Sequence, residues 1–402
     1  MTRSAAATLP TLATPRSGSS PLRSAFSLLE VLIAMFILTV GMLGIAAAVV
    51  IGNASALRAM VADRVASVGR NVLADVRTRE WLDATRWMNV DGSPVVPHRD
   101  APLPIGEAFC IDPLYIAAVI NQAGGLPAPE LGRFPYDPTP TVLSMRRVSV
   151  NVAVNPTQPQ LVLSNRRFWE RLCVAEDDLV FDSTALSRPR LVFRTDAGKI
   201  MAVPTLPGET PAGNPLYPDY QGMYSWMVTV VPQVPGVPSV SQSYLVSAVI
   251  FRNRNLLWPV DPAADMPGER VAIANFLGGA DLRLSVPNSA VGTRDPDEYL
   301  RIPEGQYLLL AGRVLVNVNP PQFQNVFLWY RVIAASELSQ NGSFYQRDLT
   351  VAGPDWNPGW CLDIDGDGNS REAWAILCTN VYGVYTEVMG AEALSRWSWP
   401  VR

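Results

Sequence analysis

The sequence predicts an α+β protein in which one long N-terminal membrane-spanning helix is followed by a large, mainly antiparallel β head. Three observations predict it. Val31–Ile51 contains 21 residues without a charge, enough to cross a hydrocarbon core of ~30 Å at about 1.5 Å per residue. No proline interrupts the stretch from Phe26 to Trp87, so one helix can run through it. Beyond that stretch lie most of the chain's 35 prolines, which confine the rest to short strands and loops.

Residues 1–25 are rich in Ser, Thr, Pro and Ala, carry Arg3, Arg16 and Arg23, and have no acidic residue. This is a positively charged flank of the kind retained on the cytoplasmic side. The apolar segment covers about 26–52. After it, Leu57, Val61, Val65, Val68, Val72 and Val76 follow one another at spacings of four, four, three, four and four, one stripe of an amphipathic helix. The other faces bear Arg58, Asp63, Arg64, Arg70, Asp75 and Arg77, so 53–87 has left the bilayer and offers its stripe to the sheet of the head. Phe26–Trp87 therefore reads as a single helix of ~90 Å. Gly41, Gly44 and Gly69 read as its weak points.

Residues 88–402 form the head. Its first part, 88–140, reads as a loop-rich linker punctuated by Asp91-Gly92-Ser93-Pro94, Gly124-Gly125 and a Pro-rich run to Pro140, with one short helix at Pro113–Gln122. Strands are expected at Met145–Val154, Tyr224–Val231, Ser243–Arg252, Gln306–Val318 and Asn325–Ala334, and near Leu191–Arg194 and Tyr382–Val388, from their β-branched and aromatic content. Val148, Val150, Val152 and Val154 alternate with Ser, Asn and Ala, the mark of a half-buried strand. Tyr224–Val231 and Ser243–Arg252 read as a hairpin.

Composition excludes several function classes. The net charge is −4, and no Arg/Lys run is interleaved with aromatics, which speaks against nucleic acid. His98 is the only histidine, so a Ser/His/Asp triad, a histidine metal cluster and a metalloprotease helix are all disfavoured. There is no P-loop or dinucleotide fingerprint, and Gly278-Gly279 reads as a turn. Glu176, Asp177 and Asp178 read as a solvated turn rather than a glycosidase pair. The chain is expected not to be an enzyme. The eleven tryptophans are expected in the core, with an exposed binding patch near the C-terminus as the lesser reading.

Cys110, Cys173, Cys361 and Cys378 form an even set beyond the membrane segment. In an exported head two disulfides follow naturally, with three connectivities possible. Cys361–Cys378 with Cys110–Cys173 is the favoured one, and free buried thiols are the alternative. Between the last two cysteines lie Asp363, Asp365, Asp367, Asn369 and Glu372. Carboxylates at alternate positions followed by glycine turn several hard oxygens toward one Ca²⁺. The twelfth loop position is Trp374 where an EF-hand has Glu, and Glu372 at the tenth is the candidate bidentate ligand. An acidic solvated turn is the alternative.

Glu30 is the most informative residue. It sits one turn inside the apolar segment, where an unpaired charge costs at least ~2.5 kcal/mol. An ordinary secretory signal cleaved after Ala46-Ala47-Ala48 and a plain signal-anchor both leave it unexplained. Ala25-Phe26-Ser27-Leu28-Leu29-Glu30 before an apolar run resembles the leader of type IV pilins and type II secretion pseudopilins. Ser27–Ala34, with Val40-Gly41-Met42-Leu43-Gly44, is most similar to minor pilins of the PilV type. The resemblance covers about 30 residues. It implies that a prepilin peptidase cuts between Ala25 and Phe26 on the cytoplasmic side and methylates Phe26. It also implies that Glu30 pairs with the N-terminal ammonium of a neighbouring subunit in the filament. The family prefers Gly before the cut, and Ala25 is a small residue suited to the same pocket. Other pilin subunits and the inner-membrane assembly machinery are the implied partners. The implied location is the inner membrane, then a periplasmic or extracellular filament. Loss of the three leader arginines takes the net charge from −4 to −7. The acidic loop resembles calcium loops of extracellular and pilus proteins. Two rivals keep the same anchor: an adhesive binding module with a calcium-stabilised β head, and a periplasmic enzyme that never polymerises.

Overall fold

The computed structural model describes residues 28–95, 107–123, 129–136, 142–151, 169, 172–173, 181–182, 190–195, 200–202, 216–218, 223–233, 243–256, 265–318, 321–364, 366, 368 and 370–390. The protein is α+β, a long apolar helix and a mostly antiparallel β domain. Two compact units divide at Met60/Val61. The first contains the N-terminal part of helix α1 (Leu28–Thr78). The second contains the rest of α1 and every strand.

Helix α1 stops at Thr78, short of the expected Trp87. Glu80 adopts φ 54°, and the amide of Trp81 donates to Val76 O while that of Glu80 donates to Arg77 O. This is a Schellman ending with Glu in the position glycine usually takes. Trp81 and Val76 are both buried in one core, the hydrophobic contact that accompanies such an ending. With Glu in the glycine position, no sequence signal announces the stop.

The first sheet is built from β1 (Trp87–Met88), β2 (Phe109–Ile111), β3 (Arg133–Phe134) and β4 (Met145–Val150). It is completed after a smaller sheet of β5 (Phe181–Asp182), β6 (Arg190–Thr195), β7 (Ile200–Ala202) and β8 (Leu216–Pro218). The completing strands are β9 (Tyr224–Pro232) and β10 (Ser243–Arg252), which form the expected hairpin pairing. The remaining strands are β11 (Glu269–Gly278), β12 (Asp281–Pro287), β13 (Tyr307–Val318), β14 (Pro321–Ala335), β15 (Ser339–Asn341), β16 (Phe344–Ala352), β17 (Glu372–Cys378) and β18 (Val381–Gly390). The first sheet runs β1-β4-β2-β9-β10-β18, with β3 beside β4.

The second large sheet runs β12-β11-β17-β13-β14-β16-β15, and a further β12–β16 pairing joins it into an antiparallel barrel. The Gly278-Gly279 turn connects β11 to β12, with φ 126° and 60°. Between β12 and β13 lie two single-turn helices, α3 (Asn288–Val291) and α4 (Pro296–Tyr299), while α2 (Pro113–Ala123) follows β2.

The residues expected to be a linker at 88–140 thus include part of the sheet. β2 lies between β4 and β9, parallel to β4 and antiparallel to β9, and α2 is buried beside it. A strand of three residues is too short to show a period, so its central position was not legible.

Three cores stack through the second unit. Val65, Val68, Val72, Leu73 and Val76 of α1 pack on Phe109, Ile111, Val148, Val228, Val230, Val246 and Ala248 of the first sheet. The opposite face of that sheet, with Met145, Met227, Val231, Val249 and Phe251, packs on Leu309, Ala311, Phe327, Trp329 and Ile376 from outside the barrel. Leu308, Leu310, Val326, Leu328, Val332, Leu349 and Leu377 fill the barrel interior. Neighbouring residues of one strand therefore serve two cores, which is why Tyr307–Ala311 reads as an unbroken apolar run and Tyr224–Pro232 is apolar but for Ser225 and Thr229. It also corrects the half-buried reading of β4, since Ser149 and Arg147 on its other face are fully buried.

The stripe on α1 packs from Val61 onward, while Leu57 is exposed. Gly69 is a close-approach position rather than a weak point: a Cβ there would run into the Tyr385 ring of β18. A Cβ at Gly383 would run into Val65, so helix and edge strand each contribute a glycine to the contact. Arg77 pairs with Glu387 along the same line. Replacing Gly69 by Leu is expected to destabilise the head by roughly 1–3 kcal/mol, whereas Gly41→Leu, where nothing lies within 4 Å, leaves it unchanged. Urea unfolding of the full-length protein in detergent, followed by tryptophan fluorescence, checks the difference.

Candidate functional site

The apolar half of α1 is the most distinctive surface of the first unit. It is long and apolar enough to cross a membrane, and none of its most apolar window is buried. Leu28, Leu32, Phe36, Leu43, Val50 and Ile51 are all more than half exposed. The one hydroxyl in the run, Thr39 Oγ1, donates back to Met35 O and Phe36 O at 2.9 Å, so it needs no outside partner in an apolar medium. Glu30 lies in the first turn and is exposed, where a carboxylate also complements the positive end of the helix dipole. Ala25 and Phe26 lie outside the described residues.

The acidic loop is described in part. Leu362 and Glu372 exchange both backbone hydrogen bonds, at 2.7 and 3.1 Å, and close its base. Glu372 is buried, and its Oε2 accepts from Ile364 N at 2.7 Å. Asp363 Oδ1 accepts from Gly366 N at 2.9 Å. Gly366 and Gly368 take φ 79° and 84°, the left-handed region that a tight loop of this kind requires. Asp365, Asp367 and Asn369 lie outside the described residues, as does His98. Among the described residues no group of three His, Cys, Asp or Glu is gathered for a metal.

All four cysteines are free thiols, and the geometry separates both expected pairs. Opposite Leu362 stands Glu372, so Cys361 falls beside Ala373. Cys378 is five residues further along β17, about 17 Å at the rise of a strand, whereas a disulfide needs Cα atoms within about 7 Å. Cys110 faces the barrel-side core and Cys173 the helix-side core, with the first sheet between them. Burial pushes both of these thiols up in pKa. Cys361 instead accepts from Trp356 Nε1 at 3.4 Å. Trp356 and Trp360 are half-buried and meet edge to face at 5.5 Å. Trp81, Trp87 and Trp169 are core residues, as expected.

A buried ionic cluster is the feature sequence reasoning missed. Arg254 forks onto both oxygens of Asp112 at 2.8 and 2.5 Å, and Arg147 Nη2 reaches both oxygens of Glu269 at 2.6 and 2.7 Å. Arg147 also stacks 3.7 Å from the Tyr115 ring centroid. The cluster holds two cations and two anions. Asp112 and Arg147 belong to the first sheet and its connections, while Glu269 begins barrel strand β11, so the cluster ties the two layers together. Its only trace in the sequence is Arg146-Arg147 inside a valine-rich strand.

Burial alone would raise the Asp112 carboxyl, but Arg254 outweighs it and holds the group below its ordinary value of 3.8. A depressed carboxyl contributes stability that is present above pH 3.8 and lost as the pH falls through the lower folded value. Arg254→Met is expected to cost about 3–5 kcal/mol at pH 7 by removing the fork on Asp112 and leaving that buried charge only the more distant Arg147, whose Nε lies 3.7 Å away. Acidification below pH 4 neutralises that carboxyl, so the deficit relative to wild type should shrink. Urea titrations at pH 7 and at pH 3.5 check both parts.

These features define a class first: a membrane-type apolar helix with a single acid in its opening turn, followed by a mostly antiparallel β domain. Residues 21–46 match the family model described as the prokaryotic N-terminal methylation motif. No curated protein and no solved structure matches the chain. The motif points to a type IV pilin-like structural subunit, and it implies processing by a prepilin peptidase and assembly with other pilins.

Proposed function

We propose that this chain is a minor pilin or pseudopilin, a large-headed structural subunit of a type IV pilus or type II secretion-like filament. The observation that carries the reading is the methylation motif at 21–46 coinciding with a helix whose apolar window is wholly unburied. The precursor is held in the inner membrane with its leader, 1–25, in the cytoplasm. Cleavage between Ala25 and Phe26 frees an amine, which is methylated and buried in the filament beside Glu30 of another copy. Each charge then has a partner in an apolar setting, and the pair sets the axial register. Packing of apolar helices holds the shaft, and the head is carried outward. Half-exposed Trp356 and Trp360 beside the acidic loop support a second reading, in which the same subunit also presents an adhesive head.

Mass spectrometry of the mature N-terminus should find methylated Phe26. Glu30→Val should leave the head folded and the leader removed, and yet abolish incorporation into sheared filaments. A mature protein beginning at Met1 or after Ala48 would overturn the reading.

The loop at 363–372 is proposed to hold a structural Ca²⁺ through Asp363, Asp365, Asp367, Asn369 and Glu372. Its support is a set of hard oxygens with two left-handed glycines and a closed base, which suits Ca²⁺ better than softer metals. EDTA should lower the melting temperature of the detergent-solubilised protein, and Asp365→Ala should erase the difference between chelated and calcium-loaded samples. Coincident melting curves for wild type with and without chelator would discard the site.

A further inference from the structure

A cleft of about 630 Å³ opens where β3 and β4 of the first sheet meet the outer part of the β13–β14 hairpin. Its walls include Asn89, Glu107, Arg133, Arg146, Phe323 and Asn325. The volume lies within the range of small-ligand sites. Arg133 and Arg146 are direct cross-strand partners, an arrangement that like charges disfavour unless something between them is negative. Glu107 answers one of them, at 3.1 Å from Arg146. The other acid of the wall, Asp91, is taken up in its own turn by Ser93 Oγ at 2.6 Å and Ser93 N at 2.8 Å. Arg133 is exposed and forms no ion pair among the described residues. Asp91 keeps its negative charge but pairs with neither arginine, so among the described residues the Arg133 guanidinium has no carboxylate in contact within this concave site, and a planar fork of this kind selects carboxylates and phosphates.

The rest of the wall narrows the choice. Phe323 is 61% exposed, a large apolar face on the cleft, whereas Val90, Ala108 and Met145 of the same wall are buried. Arg313 lies 5.7 Å from its ring centroid and donates to Asn325 Oδ1 at 3.3 Å, which leaves the Asn325 amide hydrogens for a ligand. An inorganic anion would use the guanidinium and ignore the ring. A sugar acid uses all three groups: its carboxylate on Arg133, its hydroxyls on the asparagine amides, and the C–H face of its ring against Phe323. We infer that this cleft binds an acidic saccharide, of the uronate type, through Arg133 and Phe323.

The inference is independent of whether the chain polymerises, and the full-length protein in detergent tests it. Trigalacturonate, maltotriose and inorganic phosphate are each titrated by calorimetry into wild type, Arg133→Gln and Phe323→Ala. Both changes are at exposed side chains, and unchanged melting curves verify that the head stays folded. Saturable binding of trigalacturonate but not maltotriose is expected, weakened roughly tenfold or more by Arg133→Gln and also reduced by Phe323→Ala. Absence of saturable trigalacturonate binding overturns the proposal, as does binding that Arg133→Gln leaves unchanged. Phosphate binding of equal strength combined with indifference to Phe323→Ala reduces the cleft to a bare anion site and equally overturns it.

Discussion

The structure of the head rests on one constraint: the central strands of the first sheet, β2, β4 and β9, have no face toward water. Helix α1 covers one side and the barrel covers the other, so every side chain on β9 is buried. A sheet in that position cannot alternate apolar with polar, and its polar residues must find partners inside. Thr229 does so by accepting from Trp329 Nε1 at 3.2 Å. Arg147 and Glu269 do so at far larger stakes, because an unpaired ion in that layer would cost several kcal/mol. The cluster joins β4 of the first sheet to the start of barrel strand β11.

Close approach is the second requirement. Ordinary packing of a helix on a sheet leaves room for side chains on both surfaces, but here a glycine on each side lets the two approach more closely. Gly69 admits the Tyr385 ring and Gly383 admits Val65. The consequence is a helix segment, 61–78, held by shape as well as by apolar area.

The same helix contains residues with two different solvents in mind. From Val61 to Val76 its stripe is satisfied by protein, whereas from Leu28 to Ile51 the large apolar side chains are exposed. A surface of that composition is stable only in lipid or against other apolar helices. The filament subunit proposed above would need both environments in turn, and a uniformly apolar helix serves in either. In that proposal the acid in its first turn is the group that distinguishes them, since its charge requires a partner once water and headgroups are gone.

Much of this was legible in the residues. The helix, its change from apolar to amphipathic character, and strands β4, β9, β10, β13 and β14 follow from local period and composition, which one segment reveals without knowledge of its neighbours. The stop at Thr78 was hidden because Glu80 stands where glycine signals an ending. β2 was hidden by its length. The pairing of cysteines was misjudged because proximity in sequence says little once β17 carries Cys378 a strand's length from Cys361.

The cleft and the ionic cluster belonged to the tertiary structure altogether. Arg133 and Arg146, or Arg147 and Glu269, become neighbours only through strand pairing and layer stacking. The sequence by itself determined where this chain is helix, where it is apolar and where its acid lies, because those depend on short-range spacing. Which charges meet, which glycines are indispensable and which surface is concave was decided by the fold, because those depend on contacts between residues far apart in the chain.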